Sequence, residues 1–453
     1  MSSNNFSRRK FLAGAAVAGA AGAMGIGTFT SCSDNSGKST STGSYDWQTR
    51  ELNLPPMLET APDGPLLKAG VIGCGGRGTG AAIDFLNAGP NLTIAALGDV
   101  FEDRVMDCRT KIQAQKGVEV PQENLFVGFD AFEKVIASGV DVVILATPPK
   151  FRPEHFEAAV KARKHVFMEK PVAVDPVGIR QVIATSKMAD SQGLKIVTGT
   201  QRRHQHNYIN LLKEINNNAI GHIVSANVYW NQSKLWHRDR NASWSEMEWM
   251  IRDWVNWCWL SGDHIVEQHV HNIDVATWFM GTHPVKAVGF GSRQRRVTGD
   301  QYDNFSVDYV YEDGRHVHSM CRQINGSANG VYEIFHGTKA MARTDGKSRI
   351  VDASGNELFV AEGSETSPYV QEHINLVTCI RQNTPINEAE QTAISNMVAI
   401  MGRVSAYTGK EVTYEEMMNS DMKLGPTTYI MGDVGFMASA EIPVPGTTEQ
   451  RRG

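Results

Sequence analysis

Three short stretches of this 453-residue chain carry residues that could do chemistry. The first, Gly73-Cys74-Gly75-Gly76-Arg77-Gly78, fits G-x-G-x-x-G, follows an apolar run and opens a segment of helical period. In such a loop Gly73 permits the tight turn, and Gly75, with Gly76 and Arg77 beside it, lets backbone approach a pyrophosphate. Gly78 lets helix and strand pack closely, while the free N–H groups of the helix start favour an anion. Asp99 ends the next apolar run about twenty residues on, where a carboxylate can accept a ribose hydroxyl and repel a 2′-phosphate. The loop therefore predicts NAD rather than NADP as cofactor.

The second stretch is Glu169-Lys170-Pro171, directly after the apolar run His165–Met168. A lysine at the carboxyl end of a strand can hydrogen-bond a developing alkoxide. On residue types alone, the pair also fits a solvated ion pair. The third runs from Asp263 to Asp274 and holds His264, Glu267, His269 and His271. Glu267 precedes His271 by one helical turn, so a helix would put both on one face, with the carboxylate able to orient the imidazole or relay its proton. So dense a set also invites a metal reading, against hydroxyl recognition or structural hydrogen bonding. We expect no metal.

These motifs resemble the Gfo/Idh/MocA (glucose–fructose oxidoreductase / inositol dehydrogenase) family. The glycine loop carries the likeness together with Ala146-Thr147-Pro148-Pro149, His155 in the following helix, the E-K-P at 169–171, and Glu267-Gln268-His269-Val270-His271-Asn272-Ile273-Asp274. The last resembles the family's D-x-G-x-H-x-x-D segment, with Glu267 for the usual Asp and His269 for a Gly. The resemblance covers nearly everything from Leu66 to about Met418. It implies a nicotinamide held by Thr147, Pro148, His155, Glu169 and Lys170, with Lys170 also beside the reacting hydroxyl and His271 as its base. It implies Glu267 as a third catalytic group and a carbohydrate as substrate.

These groups need a particular frame. Short apolar runs at Leu67–Gly73, Thr93–Leu97, Val140–Ala146, His165–Met168 and Leu194–Thr198 alternate with helix-like segments, which predicts a doubly wound parallel sheet of Rossmann type over 66–200. From 201 to 424 the texture changes to alternating strands, a strong turn at Tyr311-Glu312-Asp313-Gly314-Arg315, and helices at Val370–Arg381 and Glu388–Thr408. This predicts an α/β domain with an open-faced, mostly antiparallel sheet, able to hold substrate or a second copy in a homo-oligomer. Residues 425–453 are Pro/Gly-rich and read as a tail.

Seven of the nine tryptophans lie between Trp230 and Trp259. Some must be core, but their density beside polar residues resembles a sugar site, in which indole faces stack on C–H surfaces. Trp230, Trp236, His237, His269, Asp274 and Arg203 are the expected substrate contacts. For Arg203 and its neighbours a solvated basic turn serves equally well.

Hydrophobic residues make up 41% of the chain and charged residues 21%, an ordinary globular balance. A net charge of −5 with no basic run beyond the N-terminus argues against a nucleic-acid partner. Six scattered cysteines without C-x-x-C give neither a zinc site nor a disulfide framework. Residues 1–32 read as an export signal: Ser7-Arg8-Arg9-Lys10-Phe11-Leu12 is a twin-arginine pattern, and Thr30-Ser31-Cys32 resembles a lipobox that would tether Cys32 to a membrane. Residues 33–65 are a polar linker and arm. An exported enzyme meets no pool of NAD, so its cofactor must stay bound and be restored on each cycle. A sugar oxidoreductase that oxidises one sugar and reduces another carbonyl meets this need. So does an NAD-dependent glycosidase that transiently oxidises carbon 3, eliminates the aglycone, adds water and reduces again. A non-catalytic sugar-binding lipoprotein is the third reading, opposed by Lys170, His271 and Asp99 together.

Overall fold

The two sheets that frame the cleft divide the work between them, one holding the glycine loop and the other the histidine. The computed structural model describes residues 49–437 and 440–446. The stretch read as an export signal, Cys32 and residues 33–48 of the linker lie outside the described residues. Among the described residues no helix is long and apolar enough to cross a membrane.

The first sheet is parallel throughout, with strands β1 (Leu67–Ile72), β2 (Leu92–Asp99), β3 (Leu125–Val127), β4 (Val142–Leu145), β5 (His165–Met168) and β6 (Ile196–Thr198). Their order is β3-β2-β1-β4-β5-β6, so chain direction switches between β1 and β4, and the crevice at their carboxyl ends is where such sheets bind ligands. The strands are continuous apolar runs because helices bury both faces; β4 (Val-Val-Ile-Leu) is wholly buried.

The second sheet has nine strands in the order β14-β13-β12-β11-β7-β10-β9-β8-β15. These are β7 (Ile223–Gln232), β8 (Lys286–Ser292), β9 (Asn304–Val310), β10 (His316–Gln323), β11 (Gly330–Gly337), β12 (Met341–Arg343), β13 (Arg349–Val351), β14 (Glu357–Val360) and β15 (Val412–Thr413). It is antiparallel except at its centre, where β10 runs parallel to β7. The expected turn joins β9 to β10: Tyr311 and Arg315 close it, with Gly314 at φ +82°. Burial alternates along β9 and β10, as one-sided packing requires. Helices Val270–Met280 and Ala389–Thr408 fill the inner face.

The helix Pro368–Gln382 does not stay with the domain whose sequence precedes it. It packs on β5, β6 and the helix Gly76–Asn87, and its Ile374, Leu376 and Val377 share a core with Phe85, Phe167 and Val197. An amphipathic period announces a helix but not which sheet its apolar stripe will meet.

Candidate functional site

The glycine loop leaves β1 at Gly73, whose φ of +94° a side chain would strain. A Cβ at Gly78 would stand 1.8 Å from the Gly73 carbonyl oxygen, so only glycine permits this helix–strand approach. By contrast, a Cβ at Gly76 would meet nothing within 4 Å. The loop therefore opens on free space, a cavity of about 730 Å³ that Gly73, Gly75, Gly76, Asp99, Thr147, Pro148 and His155 help to line. Its size lies within the range of cofactor clefts. The helix Gly76–Asn87 begins with no side-chain cap, which leaves its first N–H groups for an anion. These features fit a dinucleotide.

Asp99 serves the loop as well as facing the cleft. Its carboxylate accepts the Cys74 N–H at 2.7 Å and the Phe101 N–H at 3.0 Å, and burial pushes its pKa up. His155 meets the Thr147 hydroxyl at 3.3 Å and stacks on Phe132. Burial and Arg152 lower its pKa to about 3, so it lines the cleft uncharged.

Arg77 and Glu169 also stand at the cleft, but their charges meet each other. The Arg77 guanidinium bonds Glu169, reaches Asp84 at 3.0 Å and Glu372 at 4.0 Å, and lies over the Tyr369 ring. Burial would raise the Glu169 carboxyl, yet Arg77 and Arg152 hold it below its ordinary value. This pair fastens the glycine-loop helix to the end of β5, just before Lys170.

Lys170 lies between the two domains. Its Nζ donates to the Glu267 carbonyl at 2.5 Å and to Glu267 Oε1 at 3.0 Å. Glu267 ends one short helix (His264–Glu267), and His271 lies in the next (Val270–Met280). That break separates the pair expected on one helical face: the Glu267 carboxylate turns to Lys170. The His271 ring stacks on Trp230, with centroids 5.6 Å apart, and no hydrogen bond from the described residues ends on it. Burial, then Lys170 and Arg202, push its pKa well below the ordinary histidine value. A neutral imidazole beside an ammonium group is a proton acceptor next to an oxyanion stabiliser.

Beneath Trp230 lies a hub that residue types did not announce. Fully buried Glu333 accepts from Arg202 at 2.6 Å, Tyr208 at 3.1 Å, Asn272 at 2.6 Å and Thr344 at 2.6 Å. Arg202 also lies over Trp230, so this network seats the platform on which His271 rests.

Several expected substrate contacts are turned elsewhere. Arg203 binds Asp274 through two bonds of 2.8 and 2.9 Å, and Ser395 donates to the same carboxylate at 2.7 Å. Both members are buried, and the pair joins helices. His269 is 0% exposed, meets Ser319 at 2.7 Å, and burial lowers its pKa to about 3. It packs under the sheet because the helix break turns it away from the cleft. Asp263 is spent on His264, the Tyr302 N–H and the Tyr407 hydroxyl. Among the described residues no three His, Cys, Asp or Glu side chains are grouped to hold a metal ion.

The tryptophans divide by location. Trp257 and Trp259 are core, and among the described tryptophans only Trp230 stacks on His271. Trp236, 44% exposed, lines the cofactor cleft rather than a sugar platform, while His237 faces a second cavity.

The segment read as a tail completes the cofactor cleft. Thr427, Thr428 and Tyr429 line it opposite Phe101 and Phe129. Tyr429 stacks on Trp259 and meets Phe151 edge-on. Glu246 anchors the chain beyond Tyr429 by accepting the N–H groups of Val434 at 2.7 Å and Gly435 at 2.6 Å, and that of Met437. Arg252 closes the same side, over Phe101 and bonded to Asp103 at 3.0 and 3.1 Å. Aromatic residues at 429 and 436 within a Pro/Gly-rich stretch were the available sequence signal.

Residues 67–199 match the sequence model of an oxidoreductase family with an NAD-binding Rossmann fold, and residues 208–343 match the GFO/IDH/MocA C-terminal domain. A myo-inositol 2-dehydrogenase of Thermotoga maritima is 26% identical over 228 residues, 50% of this chain and 58% of that protein. A glycosyl hydrolase family 109 protein of Streptomyces coelicolor is 25% identical over 201 residues, 40% of this chain and 41% of that protein. The chain thus spans about half the length of these curated relatives. The structure of an aldose-aldose oxidoreductase from Caulobacter crescentus superposes with a TM-score of 0.63 at 18% identity, covering 77% of this chain and 99% of that one. That likeness concerns the fold.

Proposed function

Because the chain belongs to the Gfo/Idh/MocA family of oxidoreductases, we propose that it oxidises a sugar hydroxyl by hydride transfer to NAD that stays bound. One observation carries the reading: a neutral His271 stands beside Lys170 at the carboxyl edge of the NAD-binding sheet. When bound, NAD supplies a two-electron hydride acceptor. His271 takes the hydroxyl proton as the carbon–hydrogen bond gives up its hydride. The Lys170 ammonium spends two donors on Glu267 and has a third for the same oxygen, where it stabilises the developing alkoxide. Glu267 positions Lys170, and its second carboxylate oxygen can hold a neighbouring hydroxyl. Trp230 orients the imidazole and bounds the sugar.

The deep cofactor cleft, roofed in part by the segment around Tyr429, supports a cycle that restores its own NAD, and so also a second reading as a redox-neutral glycosidase, in keeping with the family 109 relative. The full-length protein with its cofactor, mixed with free aldoses and with nitrophenyl glycosides, separates the two. Reduction at 340 nm by a free sugar supports the oxidoreductase, whereas nitrophenol release without net reduction supports the glycosidase. Neither signal would overturn both.

The twin-arginine pattern at Ser7–Leu12 and the Cys32 lipobox support export and a membrane tether. The outer face of the second sheet supports a homo-oligomer. There Phe290 (71% exposed) and Val288 (49%) stand on β8, with Phe290 in the cross-strand row Ser306–Met320–Tyr229–Tyr332.

A further inference from the structure

A second cavity, about 350 Å³, opens beside the ends of β7 and β10 under the loop joining β8 to β9. Lys234, His237, Arg295 and Arg296 line it together with the amides of Asn256 and Gln323, and no Asp or Glu is among its lining residues. The Arg296 guanidinium is held at three points, each a neutral oxygen: Tyr302 O at 3.0 Å, Asn256 Oδ1 at 2.7 Å and Gln323 Oε1 at 2.6 Å. Its position is fixed while no carboxylate among the described residues pairs with it. Lys234 and Arg295 make no salt bridge among the described residues, and His237 reaches the exposed Asp239 at 3.7 Å and lies within electrostatic reach of Asp253.

The loop carrying the two arginines is built rather than loose. The Asp303 carboxylate accepts the backbone N–H groups of Gln294, Arg295 and Arg296 at 2.5–3.0 Å, and Arg293 ties back to the Gly299 carbonyl at 2.7 Å. Asp303 is thereby committed to backbone donors, while Asp263 behind the wall holds His264, the Tyr302 N–H and the Tyr407 hydroxyl and lies within electrostatic reach of Arg296. Holding like charges around one concavity costs free energy that a bound anion would offset. The cavity wall is tied to the segment that holds Lys170, since Gln323 Nε2 donates at 2.7 Å to Gln268, the neighbour of Glu267.

We propose that this cavity binds the oxyanion of an acidic sugar, a carboxylate or a sulfate, while the ring to be oxidised lies over His271. The inference rests on the proposed reaction at that histidine and narrows its substrate class to anionic sugars.

The test titrates the cofactor-loaded, full-length protein with glucuronate and glucose 6-sulfate against glucose, and with galacturonate against galactose, by calorimetry at two salt concentrations. One or both acidic forms should bind at least tenfold more tightly than the neutral parent, and added salt should shrink that advantage. Whether the uronate or the sulfate gains more identifies the group. The advantage should fall to within threefold in Lys234→Gln/Arg295→Gln, two exposed positions whose change spares the core. Equal binding of acidic and neutral sugars, or an advantage that survives the double variant, overturns the proposal. Reduction at 340 nm is followed in parallel. Acid-selective binding without reduction by any sugar would sink the proposed reaction and leave the subsite standing; reduction by neutral sugars without acid preference would do the reverse.

Discussion

Replacing Tyr429 should loosen the cofactor without touching the chemistry. The ring stacks on Trp259 at 6.1 Å and 6° and meets Phe151 at 5.2 Å and 75°, and both contacts close the roof of the cleft. An aromatic pair of this geometry contributes about 1 kcal/mol beyond its buried area. Tyr429→Ala removes both, together with a tilted contact to Phe129 at 6.5 Å, so the roof opens at a cost lower by at least about 2 kcal/mol, and NAD should leave at least roughly thirtyfold faster. Tyr429→Phe keeps both ring contacts and should release NAD at nearly the parent rate. The assay dilutes loaded protein into excess alcohol dehydrogenase with ethanol, which reduces each released NAD and reports it at 340 nm. If the alanine variant releases NAD within threefold of the parent rate, or if the phenylalanine variant matches the alanine variant, the roof does not retain the cofactor.

His271→Gln should reduce turnover by about 10²–10⁴-fold with NAD retention unchanged, because only the proton acceptor is lost; equal turnover would remove His271 from the mechanism. Asp274→Asn should destabilise the fold by about 3–5 kcal/mol by leaving buried Arg203 unpaired, as read from urea unfolding. Adding Arg203→Met should recover part of that loss, whereas a substrate-binding role would move KM instead. His155 and His269 have folded pKa values near 3, below the unfolded value near 6.5, so the unfolded chain binds protons that the folded one refuses. Their stabilising contribution is complete above about pH 6.5 and is lost as pH falls towards 3, by up to about 1.4 kcal/mol per pH unit for each group. Thermal melts from pH 7 to pH 4 should show this slope, and His269→Gln should flatten it.

The motifs that could be read from sequence were those whose chemistry is local. The glycine loop needs only a strand before it and a helix after it, and all three follow one another along the chain. Lys170 was legible for the same reason, since its neighbours place it at a strand's carboxyl end. The partners of Arg203, Asp274 and His269 were not legible, because a polar residue near a cleft looks the same whether it faces water or a distant partner. Arg203 meets Asp274 across 71 positions, and no local period encodes that pairing. Glu333 gathers four donors from four separate segments. The density of the tryptophan cluster could not separate Trp230 on His271 from Trp259 in the core.

The helix Pro368–Gln382 bears on how the enzyme moves. The chain builds its nucleotide sheet, then the second sheet, and returns to lay Ile374, Leu376 and Val377 onto the first. Each domain is thus tethered to the other by a return crossing as well as by the forward link near residue 200. The chain then crosses once more to lay Ala389–Thr408 on the second sheet, and three crossings suppress the free hinge that a single linker would allow. Substrate and product must then pass by displacement of surface segments around a nearly fixed frame, and the distance from His271 to the nucleotide cleft should change little through the cycle.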